Sequence, residues 1–198
     1  MAAVIACTIS TWAITEQQLA SLLAHFLRSD VRAGVSMFLK VSSPEARRSM
    51  LDGAAKASLS DKNYELFSLV SRAIQPVRKR RNEYAHGLWG VSADLPHHLL
   101  WTPQEDAIMR FAEMQEAELN VDPRRFADLA KTHKSILVYS KQDLVDDGNR
   151  AQQANHCLVN LKLVLTRQGG PDGEALRKLL ASPLVQKLGE NRSRQTDQ

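Results

Sequence analysis

Helix-start signals recur along this chain so often that they leave little room for an architecture other than a helical one. Ser42-Ser43-Pro44-Glu45 sets a cap, a proline at the first helical position and a reciprocal glutamate in sequence, and opens a helix to about Lys56. Thr15-Glu16-Gln17-Gln18 is a capping box with Ile14 and Leu19 as its hydrophobic staple, which predicts a helix to about Arg28, and a short helix follows Asp30. Ser60, stapled by Leu59 and Tyr64, caps a helix whose apolar stripe is Leu66, Val70, Ala73, Ile74 and Val77. Pro76 interrupts that stripe and, having no backbone donor, kinks or splits the helix; Gly87 stops it as a C′ residue does.

Further along, Thr102-Pro103-Gln104-Glu105 starts a helix to about Leu119, and Asp122-Pro123 a shorter one to about Lys131. Ser140 or Gln142 leads into a long helix striped by Leu144, Ala151, Ala154, Leu158, Leu161 and Leu165, which ends by Gly169-Gly170-Pro171. Ile136-Leu137-Val138-Tyr139 has the β-propensity and length of a strand and finds a partner in Leu99 to Trp101, while the segment from Leu88 to Leu100 is a connection. The fold expected is therefore mainly α, a helical bundle with at most a small two-stranded β element. Residues 1–168 form its single domain, and residues 169–198 a linker, a short amphipathic helix from Glu174 to Leu188 and a disordered polar tail.

A chain of 198 residues with 43% hydrophobic and 24% charged side chains has the balance of a folded globular protein. Met1 to Ala13 is apolar but short for a membrane span and lacks a basic segment before it, so it reads as an N-terminal strand or loop packed on the core. No later window reaches transmembrane length, and the expectation is a cytoplasmic protein with no membrane partner. Cys7 and Cys157 have no metal-site spacing and sit in apolar settings, as small buried thiols do.

Charge is unevenly placed. Residues 28 to 81 carry 12 Lys/Arg against 5 Asp/Glu, residues 104 to 147 carry 6 against 10, and the whole chain has a net charge of +4. Such a basic half suits a polyanion-binding surface, and equally a pair of opposite faces that only maintain solubility.

The basic half ends in Arg78-Lys79-Arg80-Arg81-Asn82-Glu83-Tyr84-Ala85-His86-Gly87, the stretch richest in chemistry. At about 100° per residue, Arg81 falls close to the centre of the apolar stripe begun at Val70, and Lys79 on the opposite side. A guanidinium on the buried line of a helix needs an anion or a set of acceptors, supplied either by an internal acid or by a ligand. Asn82 and His86 share a face, whereas Arg81 and His86 stand about 140° apart on a regular helix. Three arrangements bring them together: the arginine wraps round, the helix end distorts, or a second protomer supplies the missing group. Taken alone, His86 is a cap for a helix C-terminus, Arg78, Lys79 and Arg80 a solvated face, and Tyr84 a core residue.

Arg81-Asn82, three further residues and then His86 resembles the motif of the HEPN superfamily, in which an arginine and a polar residue precede a histidine after four to six intervening positions. The resemblance covers about seven residues, with helix content as its wider support. It implies a metal-independent endoribonuclease with no cofactor, whose active site forms at a homodimer interface. In that scheme Arg81 contacts the scissile phosphate, His86 is the general acid/base, and Asn82 orients the phosphate or the histidine. Arg78, Lys79 and Arg80 grip flanking RNA phosphates. A toxin or defence effector with an antitoxin or regulatory partner is the corresponding biological expectation. The alternative is a non-catalytic module of the same build that binds RNA, a nucleotide or a partner protein.

The chemistry suits the residue types. Attack by an RNA 2′-hydroxyl needs a proton acceptor, a proton donor and a group that holds developing phosphate charge; histidine fills the first two roles and arginine the third. No phosphate-binding glycine loop, nucleophile elbow or HExxH pattern competes with this stretch, and no metal-ligand spacing stands out, His97-His98 included.

Overall fold

A computed structural model describes residues 1–120, 136–166 and 173–188. The protein is mainly α-helical with a small antiparallel sheet. Helices α1 (Ala2–Phe26), α2 (Val31–Lys40), α3 (Pro44–Ser58) and α4 (Asp61–His86) follow one another, and strands β1 (Gly87–Gly90) and β2 (His98–Pro103) precede α5 (Gln104–Asn120). Strand β3 (Leu137–Ser140) leads into α6 (Lys141–Leu165), followed by α7 (Glu174–Leu180) and a short helix α8 over 183–188. The shorter helix expected after Asp122, the Gly169-Gly170-Pro171 stop and the tail beyond residue 188 lie outside the described residues.

Several caps form as the sequence predicts. Asp30 accepts from the amides of Arg32 and Ala33, Ser43 from that of Ala46, and Ser140 forms a reciprocal box with Asp143. Others do not. Thr15 lies inside α1, buried, with its hydroxyl donating to the Thr11 carbonyl at 3.0 Å instead of capping anything. The apolar run expected as a strand or loop continues this helix back to Ala2, because Thr8, Trp12 and Thr15 recur at helical spacing and all are buried. Cys7, expected in the core, is exposed; Cys157 is buried and bonds Ser182 at 3.1 Å. The Thr102 box also fails: Pro103 closes β2, α5 begins after it, and the Thr102 hydroxyl is buried without a partner among the described residues.

The main core gathers Trp12, Leu22, Leu23 and Phe26 of α1, Phe38 of α2, Leu51 of α3, and Phe67, Val70 and Ile74 of α4 around Ala154, Leu158 and Leu161 of α6. α1 packs most extensively on α6 and then on α2. Gly34 permits the second contact, since a Cβ there would sit 2.4 Å from Ala24 Cβ. Leu179 and Val185 belong to the same core, so the segment expected as an appendage after residue 168 is built into the body. Pro76 does not split α4, which runs unbroken to His86.

The sheet has the order β1-β2-β3. Leu99 faces Tyr139 and Trp101 faces Leu137, the pairing expected of a two-stranded ribbon; β1 adds a third strand, with Trp89 opposite Trp101. Gly87 does end α4, but with an extended backbone (φ −104°, ψ 164°) and not the left-handed turn of a C′ glycine. Its glycine character answers to packing, because a Cβ would lie 1.8 Å from Trp101 Nε1. Tyr84, Trp101, Tyr139 and Leu144 make a second, smaller core where the sheet meets α4 and α6. No helix among the described residues is long and apolar enough to cross a membrane.

Candidate functional site

The last turns of α4 meet α6 and β3 through a polar cluster centred on Asp147. This carboxylate is 6% exposed, accepts from the Tyr84 hydroxyl and from Arg150 Nη1 at 2.9 Å, and forms an ion pair with Arg80 Nε at 3.2 Å. Arg80 also donates from Nη1 to Glu83 and to the Tyr139 hydroxyl, both at 2.8 Å, and its guanidinium stands 5.5 Å from the Tyr139 ring centroid. Burial, reinforced by Asp147, holds the Tyr84 phenol well above its ordinary ionisation range, and burial also raises that of Tyr139. Tyr84, Trp89 and Tyr139 pack ring to ring, and the Trp89 and Trp101 indoles donate to the carbonyls of Tyr84 and Glu83 at 3.2 and 2.8 Å. Tyr84 is thus a core residue, as expected, and both tryptophans serve to fix the helix end.

Beside this cluster runs a groove of about 580 Å³ between α1, α4, α6 and α8. Its walls carry six cations, Arg72, Lys79, Arg80, Arg81, Arg150 and Lys187, against two acids, Glu83 and Asp147. Both acids are already engaged by arginines of the cluster. Arg81 is one of four cations left without an ion pair among the described residues, with Arg72, Lys79 and Lys187. It forms no ion pair among the described residues, its Nη1 donates to Asn82 Oδ1 at 3.0 Å, and its Nε is buried with no acceptor. A half-buried guanidinium with an unmet donor, beside an open groove of its own sign, is poised for an anion.

The other residues of the central stretch disperse. Arg80, expected beside Arg78 and Lys79 as a phosphate contact, is committed to Asp147, Glu83 and Tyr139. Lys79 is exposed on the groove, although helical phase set it opposite the buried line, and Arg78 lines a separate cavity. His86 is exposed at the end of α4, makes no hydrogen bond or ion pair among the described residues and is not in the groove wall. Because α4 stays regular to His86, a distorted helix end does not bring it to Arg81, and about 140° of turn separates the two. Among the described residues no group of three or more His, Cys, Asp or Glu side chains is placed to hold a metal ion.

Asp147, Arg150 and Lys187 enter the site without having been singled out in the sequence, and Tyr139 was read there only as part of a strand. Asp147 had a signal: it stands three residues after Leu144 and four before Ala151, on the apolar stripe of its own helix, the same anomaly that marks Arg81. Comparison with protein-family models, with curated protein sequences and with solved structures gives no match for this chain.

Proposed function

We propose that this chain is an RNA-binding protein of HEPN type that cleaves RNA without a metal ion, by attack of the 2′-hydroxyl on the adjacent phosphate. The observation that carries this reading is the setting of Arg81: a guanidinium with a buried donor and no acid or acceptor for it among the described residues, in the wall of a groove lined by Arg72, Lys79 and Lys187. A phosphate there would gain a fork of donors, and Asn82 holds the fork in place through its 3.0 Å bond. Flanking phosphates would meet the remaining lysines and arginines, and binding would weaken steeply with salt. His86 is the proton-transfer group. Since it and Arg81 leave α4 on different sides, the working site is composed from two copies, Arg81 and Asn82 of one beside His86 of the other.

One observation favours a second reading, in which the groove binds RNA and cuts nothing: His86 is exposed and outside the groove wall. The deciding experiment compares RNA binding and cleavage, with EDTA present, for the wild type, His86→Ala and Arg81→Ala at matched folding. Loss of about 10²-fold or more in cleavage by His86→Ala, with binding kept and wild-type products ending in 2′,3′-cyclic phosphate, supports the nuclease. Binding without cleavage by every form selects the second reading. Unchanged binding in Arg81→Ala removes both. Mixing the two inactive variants tests the composite site, since a mixed dimer regains one intact set of groups.

A further inference from the structure

α5 turns an apolar side away from the body of the protein. Asp106, Ala107 and Arg110 are half-buried, so the outward side, half a turn away, carries Ile108 and Ala112, with Met109 and Phe111 on its flanks and Glu105 at its start. Ile108, Met109 and Phe111 are 56%, 62% and 64% exposed. Among the described elements α5 packs appreciably only on β1 and β2, and none of its residues lines the basic groove. A helix of 17 residues is marginal alone in water, and a patch of isoleucine, methionine and phenylalanine left on its surface marks a contact site.

Charge selects what that patch meets. The sequence of α5 holds five acids, Glu105, Asp106, Glu113, Glu116 and Glu118, against one cation, Arg110, so two copies of the helix repel each other and a polyanion is refused. The basic groove is its complement. Arg72, Lys79, Arg81 and Lys187 there lack an ion pair among the described residues, and the rest of the lining includes Ala73, Pro76, Val77, Ala151, Leu184 and Leu188. RNA phosphates engage the cations and leave those apolar side chains unused; an acidic amphipathic helix engages both. We propose that the groove of one copy seats the outward side of α5 from a second copy, with Ile108 and Phe111 against its apolar lining and Glu105 toward its cations. Two copies that exchange their helices make the contact twice and close the pair. The inference rests on the reading of the groove as an RNA site for one consequence. A groove that holds α5 excludes RNA, so this pairing is a resting form set by protein concentration, distinct from the composite pair that acts on RNA.

The test is sedimentation velocity on the full chain, from micromolar to submillimolar concentration, for the wild type, Phe111→Ser and Lys187→Glu, both substitutions being at exposed positions where folding is not at risk. The wild type is expected to pair, and each variant to weaken pairing by about tenfold or more. Mixing the two variants restores part of it, because the intact groove of Phe111→Ser receives the intact α5 of Lys187→Glu. A contact of α5 with α5 gives no such recovery and overturns the proposal. A wild type that stays monomeric, which leaves α5 to a different protein, overturns it too, as does pairing that Lys187→Glu leaves unaltered. Fluorescence anisotropy with a short single-stranded RNA then checks the exclusion: at concentrations where the wild type is paired, Phe111→Ser binds the RNA more tightly by about threefold or more, and equal affinity overturns the exclusion. RNA binding by neither form sinks the RNA reading of the groove instead, and the sedimentation results still decide whether α5 docks there.

Discussion

Arg80 and Arg81 are neighbours on one helix and chemically the same, yet the fold gives them opposite lives. Arg80 turns toward α6 and β3, where Asp147, Glu83 and the Tyr139 hydroxyl surround it. Arg81 turns into the groove, where an amide oxygen is its one described partner. Their difference is made by residues far away in the sequence, since Asp147 comes from another helix and meets Tyr84 across 63 positions. The count of cations in a basic stretch therefore says little about how many face a ligand. Acids arriving from elsewhere decide which are neutralised, and those they miss, Arg81 among them, are the ones available for binding.

The contrast can be broken most forcefully at Asp147. Asp147→Ala removes the carboxylate shared by Arg80, Arg150 and Tyr84, and is expected to destabilise by about 3 kcal/mol in a denaturant melt, moderated because both arginines can rehydrate. A loss under about 1 kcal/mol would mean that the cluster is dispensable and that Arg80 is nearly as free as Arg81. Next comes Gly87→Ala, whose new Cβ collides with Trp101 and loosens the indole that holds the Glu83 carbonyl; about 2 kcal/mol is expected, read as a lowered Tm.

Tyr84→Phe should cost about 1.5 kcal/mol near neutral pH by removing a hydrogen bond to a charged acceptor. It also has a pH signature. Tyr84 ionises near its usual value of 10.0 when unfolded but only well above it when folded, so its contribution is intact below pH 10 and declines as pH rises beyond it. The alkaline fall in stability should be shallower in the variant; equal slopes would show that the phenol is not held as described. The smallest effect on stability sharpens the comparison most. Arg80→Ala is expected to destabilise by about 1 kcal/mol and Arg81→Ala by less than about 0.5 kcal/mol, while the second alone weakens RNA binding severalfold or more. Reversal of that order would exchange the roles assigned to the two residues.

Much of this architecture was legible in the chain. Local signals with a local cause survived: Asp30, Ser43 and Ser140 cap their helices, the stripe of α6 is buried residue for residue, and the strand read from β-propensity through Tyr139 pairs with Leu99 to Trp101. Signals that compete with tertiary burial did not. Thr15 carries a proper capping box, but the helix gains more by running on and burying Trp12 and Thr8 than by starting there. β1 escaped notice because four residues, two of them glycine, hold little propensity of their own and are made a strand by β2. In the candidate site, helical phase rightly marked an arginine anomaly, but a period of 3.6 cannot separate the flank at Arg80 from that at Arg81. Val77 lies three residues before the first, and Tyr84 three after the second.

Lys162 of α6 reaches Ser21 of α1 across 141 positions, at 2.7 Å, and these two helices pack on each other more extensively than any other described pair. A chain leaving the ribosome exposes Trp12, Leu22 and Leu23 long before Leu158 and Leu161 exist to cover them. Closure of the bundle must then cross a long loop, which slows it and leaves a greasy early helix open to chaperones or to other nascent chains. For this protein, the rate of synthesis through the intervening segments sets how long that exposure lasts.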